Sequence, residues 1–118
     1  MDPTHLISIG SEGAWGCEGD FDCWERITAD KNIDYANIHL WPYNWGWAKQ
    51  DSLIENLPRA KENTKEYIDR HLDICAKIQK PLVMEEFGYP RDGFKFALDS
   101  PTKGRDGFYE YVFSLVGD

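Results

Sequence analysis

The chain has 118 residues, 42% of them hydrophobic and 14% aromatic, which suits one folded domain without an internal boundary and excludes a disordered composition. Acidic residues outnumber basic ones by 21 to 13, for a formal net charge of −8, and no Lys/Arg block is long enough to follow a phosphate backbone, so nucleic acid is not an expected partner. Apolar runs fall far short of a bilayer span, and the opening "MDPTHLISIG" lacks the basic, apolar and small-residue sections of a secretory signal, so neither a membrane partner nor a signal peptide is expected in these residues.

In chain order, "HLISIG" is a short β-branched run ending at glycine and reads as a first strand. "DFDCWERITAD" follows with Phe21, Trp24 and Ile27 or Thr28 at helical spacing, and Asp20 or Asp22 is placed to cap it. "DYANIHLW" is a second extended run that opens into the loop "PYNWGWAKQDS". From Pro58 to Lys80, Tyr67, Ile68, Leu72, Cys75 and Ile78 mark the apolar stripe of a long helix, with Pro58 suited to its first turn. "KPLVMEEF" is a third strand, apolar for four residues as expected when both faces are covered. A glycine-bearing loop leads to "GRDGFYEYVFSLV", where Phe108, Tyr109, Val112 and Leu115 or Val116 form the buried side of a last helix.

Strands separated by helices pair in parallel, which leaves an open doubly wound sheet or part of a (β/α)8 barrel. No glycine-rich phosphate fingerprint follows any strand, which weakens the nucleotide-binding alternative. Each strand instead ends in polar or aromatic groups: "SEG", then "HLW" with "NWGW", then "EEFG". Active sites of such barrels are built at that end of the strands, so the three clusters are expected to converge.

Successive strand side chains point to opposite faces, so regular geometry sends only one of Glu85 and Glu86 into a shared site. The apolar run before them argues for partial burial, and a buried charge needs a partner. "IHLWPYNWGW" sets four aromatics and one imidazole within ten residues, and flat apolar faces interleaved with Asn and Gly suit sugar rings. His39 and Trp41 share one strand face by parity, whereas Tyr43 suits a hydrophobic cluster that holds the loop down. Glu12 is placed to bond sugar hydroxyls, to hold a neighbouring Arg or His, or to serve as a plain turn residue. Cys17, Cys23 and Cys75 form no zinc or redox motif, so no metal or other cofactor is expected. The loop "CEGDFDC" is compatible with a disulfide in an oxidising compartment or with two reduced thiols, and Cys75 suits a small buried thiol.

"NIHLWPYNWGW", followed about forty residues later by "KPLVMEEFG", resembles the second half of glycoside hydrolase family 5 enzymes, and the preceding "GSEG" makes it most similar to their endo-β-1,4-mannanases. The resemblance covers nearly the whole chain and implies three consecutive βα units of a TIM (β/α)8 barrel, strands five to seven, incomplete in these residues. It selects Glu86, in Glu-aromatic-Gly, as the catalytic nucleophile, and maps a His-x-aromatic pair that touches nucleophile and sugar onto His39 and Trp41. Trp here stands where many members have Tyr, which removes a phenolic hydrogen bond to the nucleophile. Trp45 and Trp47 fall in the loop lining the substrate cleft, and Glu12 matches an acidic residue near the sugar subsites.

The implied mechanism is retaining, with a second carboxylic acid about 5 to 5.5 Å from the nucleophile protonating the leaving oxygen. In the family that acid sits in an Asn-Glu motif on strand four, and no Asn-Glu occurs here. The 118-residue chain alone is therefore expected to be inactive on mannan and to self-associate through open strand edges. The implied partner is a mannan-type polysaccharide or oligosaccharide, and the implied location of the full-length parent is secreted or periplasmic. A β-1,4-glucanase of the same family and a non-catalytic carbohydrate-binding half barrel are the competing expectations.

Overall fold

The computed structural model describes residues 2–116. Its elements are α1 (Phe21–Thr28), β1 (Ala36–Leu40), α2 (Leu57–Ile78), β2 (Leu82–Phe87) and α3 (Lys103–Val116), with short 3₁₀ turns at Ala14–Cys17 and Asp92–Phe94. Among the described residues β1 and β2 form a two-stranded sheet with α2 as the connection between them. The Ala36 N–H donates to the Pro81 carbonyl at 2.9 Å, so the entry ends of the two strands meet, as parallel pairing requires. The packing of the described residues divides into two units, each built from two stretches of chain: one holds residues 2–40 with Ile68–Glu86, the other Trp41–Tyr67 with residues 87–116.

In the first unit α1 begins where the Asp20 carboxylate accepts the Cys23 N–H at 3.0 Å, which settles the cap on Asp20. Lys80 closes the other end: its ammonium donates to the carbonyls of Thr28 at 2.6 Å and Asp30 at 2.7 Å, where the helix dipole favours a cation. All five residues of β1 are buried. β2 differs from expectation, since its residues are half-buried or exposed rather than covered on both faces, and Val83 is an exposed strand residue. Its neighbour in the sheet is β1 alone among the described residues, which leaves its other edge without a ladder.

The expected first strand is also absent from the sheet. "HLISIG" runs beside β1 but is tied by separate bonds: Ile7 N–H to the Asp34 carboxylate at 2.7 Å, Asp34 N–H to the Ile7 carbonyl at 2.8 Å, and His39 N–H to the Glu12 carbonyl at 3.3 Å. A carboxylate takes the place of a strand carbonyl, and Gly10 at φ 66° breaks the extended run.

The stripe of α2 is partly as expected: Tyr67, Ile68 and Cys75 are buried, whereas Leu72 is exposed and His71 is buried in its place. Burial pushes the Cys75 thiol up to about 11. Cys17 and Cys23 are free thiols; burial, then the hydrogen bond and charge of Cys23, push Cys17 up to about 11.

The second unit is organised around α3. Asp92 supplies its start, its carboxylate accepting from the N–H groups of Lys103 at 3.1 Å and Gly104 at 2.8 Å. Phe108 and Val112 are buried as expected, Tyr109 and Leu115 half-buried, and Val116 exposed. Tyr89 stacks on Phe108 with ring centroids 5.2 Å apart and donates its hydroxyl to the Leu53 carbonyl at 2.5 Å.

Burial, then the charges of Asp92 and Glu55, push the Tyr89 hydroxyl up to about 12 from 10.0. An unfolded chain thus loses that proton first as pH rises. The contribution is intact below pH 10 and is lost progressively up to the folded value, a change of about 3 kcal/mol. Urea denaturation of the wild type is expected to show stability falling across this window, and Tyr89→Phe is expected to flatten the fall while costing about 1 kcal/mol at neutral pH.

Candidate active site

β1 and β2 set their polar residues, Asn37 and His39 on one and Glu85 and Glu86 on the other, against one another within the first unit. Asn37 and His39 lie two residues apart on β1 and so share a face, and both reach the Glu85 carboxylate. The Asn37 amide donates to Glu85 Oε2 at 2.7 Å, and His39 Nε2 is 3.4 Å from the same oxygen. The other ring nitrogen, His39 Nδ1, is 3.4 Å from Glu86 Oε2. The imidazole thus lies between two carboxylates.

This departs from simple strand parity. Both glutamates reach His39, because each carboxylate sits on a two-carbon stem at the last turns of the strand, long enough to bend toward the same ring. Their exposures separate them: the Glu85 side chain is 29% exposed, Glu86 53%, and His39 only 11%. Carboxylates only accept, so each contact is attractive when the facing ring nitrogen carries a proton. Asn37, 1% exposed, has its own carbonyl satisfied by the Ser8 hydroxyl at 3.0 Å. Neither Asn37 nor Ser8 stands out in the sequence as chemistry-bearing; the strand parity of Asn37 with His39 and the place of Ser8 shortly before "SEG" were the only available signals. Glu12 is exposed, and it is its backbone carbonyl that accepts the His39 N–H.

In the second unit Trp41, Tyr43, Phe87, Phe94, Phe96 and Arg105 line a cleft of about 380 Å³. Tyr43 and Phe94 rings lie 4.6 Å apart, and Phe94 meets Phe96 edge-on at 5.4 Å. Tyr43 therefore contributes to a cleft wall as well as to a cluster. Trp45 and Trp47 take a different place: their rings are 5.0 Å apart, and Trp45 lies 5.2 Å from Tyr67. Both stay half-buried, each with part of its face open.

Gly88, after the Glu86-Phe87 pair, is required by the cleft. A Cβ there would lie 2.3 Å from Trp41 Cζ3, well inside contact distance. Gly88→Ala is expected to displace Trp41 and cost about 1 to 3 kcal/mol, read as a lower urea midpoint together with altered tryptophan fluorescence.

A helix-connected parallel strand pair with carboxylates and imidazole at its strand ends is compatible with a piece of a (β/α)8 barrel, in which sites are built at that end of the strands. The chain belongs to glycoside hydrolase family 5, whose β-mannosidase-like model matches residues 1–118. It is 26% identical over 141 residues to mannan endo-1,4-beta-mannosidase 1 of Arabidopsis thaliana, covering 100% of this chain and 30% of that protein. With mannan endo-1,4-beta-mannosidase A of Aspergillus aculeatus it shares 27% identity over 118 residues, 91% of this chain and 27% of the relative. Among solved structures, the family 5 mannosidase of Rhizomucor miehei superposes with a TM-score of 0.86 at 32% identity, over 97% of this chain and 28% of that one. The endo-1,4-beta-D-mannanase of Thermotoga petrophila, at 23% identity and a TM-score of 0.57, shares the fold. The chain thus spans about a third or less of the proteins it matches and forms an incomplete TIM barrel.

Proposed function

We propose that this chain is the nucleophile-bearing portion of a retaining endo-β-1,4-mannanase, with Glu86 as the nucleophile. The observation that carries it is the Glu86 carboxylate at the carboxyl end of β2, 3.4 Å from His39 Nδ1 and about half exposed, open to an incoming sugar. Glu86 attacks the anomeric carbon as the bond to the leaving oxygen breaks, forming a covalent glycosyl-enzyme that water then hydrolyses with net retention. His39 orients that carboxylate through Nδ1. Glu85 suits the acid's role poorly: its Oε2 already accepts from Asn37, and a general acid must instead hold a proton for the leaving oxygen. The proton donor comes from another part of the barrel, and Glu12, Trp41, Trp45 and Trp47 are proposed as the sugar contacts of this part. The mannan-named relatives favour mannan over glucan as substrate of the complete protein. The family resemblance supports a secreted or periplasmic location for it.

The 118-residue chain alone is expected to leave mannan intact, since lack of a general acid costs about 10² to 10⁴ in rate and an incomplete cleft adds to that loss. Its open sheet edge is expected to promote self-association, seen as early elution on gel filtration. Exchanged for the matching segment of the Rhizomucor miehei mannosidase, the same residues are expected to yield an enzyme that cleaves mannan and leaves cellulose intact. A folded chimera that cleaves only cellulose, or neither polymer, would overturn the proposal.

A further inference from the structure

We propose that Glu85 is a positioning residue, which holds the His39 ring in the one orientation that presents Nδ1 to Glu86. This rests on the reading of Glu86 as the reacting carboxylate, and extends it to a residue that takes no part in bond-making.

The Ser8 hydroxyl donates to Asn37 Oδ1 at 3.0 Å, the Asn37 amide donates to Glu85 Oε2 at 2.7 Å, and that oxygen faces His39 Nε2 at 3.4 Å. The first two links have a fixed direction, and the third is attractive with a proton on Nε2. A carboxylate accepts only, so the Asn37 side chain must turn its NH₂ toward Glu85 and its carbonyl toward Ser8. Asn37 is buried on β1, and the short charge-assisted bond places the Glu85 carboxylate against one edge of the ring.

Turning the imidazole half a revolution about Cβ–Cγ would exchange Nδ1 with Cδ2, and a carbon would face Glu86 in place of a nitrogen. The same turn would replace Nε2 by Cε1 opposite Glu85, forfeiting that contact. Glu85 therefore penalises the flipped ring at the edge remote from the chemistry, in the way that a carboxylate behind a functional histidine commonly fixes its orientation. This also answers what occupies the second glutamate of "EEFG".

Proton NMR of the 118-residue chain tests the proposal without requiring turnover. In the wild type, His39 Hδ2 should show no cross-relaxation with the Glu86 Hγ protons. In Glu85→Ala a cross-peak between them is expected, comparable in strength to the one from Hε1, as the ring samples both orientations. Glu85→Gln, which keeps the length and one acceptor oxygen, should restore most of the wild-type pattern, whereas Glu85→Met, which keeps the volume but offers no oxygen acceptor, should not. His71, buried in the same unit with Nε2 accepting the Ala14 N–H at 2.9 Å, is an internal reference whose signals must stay unchanged. A flipped or averaged His39 ring in the wild type overturns the proposal whatever the variants do. So does a wild-type pattern persisting in Glu85→Ala with His71 intact. Because the readout is orientation, an ordered ring in a chain whose chimera is inactive would count against the role of Glu86. An averaged ring beside an active, Glu86-dependent chimera would count against Glu85.

Discussion

Glu86→Ala in the Rhizomucor miehei chimera is expected to lower kcat on mannan by a factor on the order of 10⁴ to 10⁶, the range seen when a covalent nucleophile is deleted. Loss of rate alone would not distinguish a nucleophile from an acid. Azide does, because the small anion fits the space that the carboxylate leaves and attacks the anomeric carbon from that side. With a β-linked substrate, one displacement from that face yields the α-mannosyl azide, with the leaving oxygen still protonated by the barrel's intact acid. Rate recovery with azide and an α-configured product is therefore the expected result for Glu86→Ala. A β-configured azide, formed by two displacements, would mean that Glu86 serves as the acid and that the nucleophile lies elsewhere. Glu85→Ala is expected to lose far less activity and to form no azide product, since its carboxylate lies behind the imidazole.

Much of this site was legible because strand ends concentrate chemistry. "EEFG" and "NIHLW" place Glu86 and His39 at the carboxyl ends of neighbouring parallel strands, and a sequence pattern is enough to say so. The position of Glu85 was not legible, because parity describes where a Cβ points and not where a carboxylate on a flexible stem ends. Its partner Asn37 was hidden for a related reason: an amide inside a buried strand resembles an interruption of the apolar run until the bond to Glu85 is seen. Strand "HLISIG" was overread, since β-branched composition reports a tendency to extend and says nothing of whether a neighbour completes the ladder. The helices were the most legible elements, with Asp20 capping α1 and Phe108 and Val112 buried on α3 at the expected spacing. The aromatic loop divides between Trp41 and Tyr43 at the cleft and Trp45 and Trp47 on Tyr67, a division with no periodicity to reveal it.

The stripe of α2 holds the largest stability effect. Buried Ala60, Thr64, Tyr67, His71 and Cys75 recur at three- and four-residue steps along one side of the helix, so the apolar-only pattern that selected Leu72 passed over a polar residue at a core position. His71 is fully buried, its ring 4.9 Å from Phe21 and 4.6 Å from Trp24, with Nε2 accepting the Ala14 N–H. The accepting nitrogen carries no proton, so the ring's proton sits on Nδ1. His71→Ala removes a ring-sized volume between two aromatic partners and leaves the buried Ala14 N–H without its acceptor. The expected loss is about 3 to 5 kcal/mol, a large share of a typical domain's stability. His71→Phe separates the two contributions: it refills the volume but not the acceptor, and is expected to cost about 1 to 3 kcal/mol. Urea denaturation of the three proteins, with amide exchange at Ala14 as the local readout, checks the order. Equal losses in both variants would assign the whole effect to the hydrogen bond, and a neutral His71→Phe would assign it to packing.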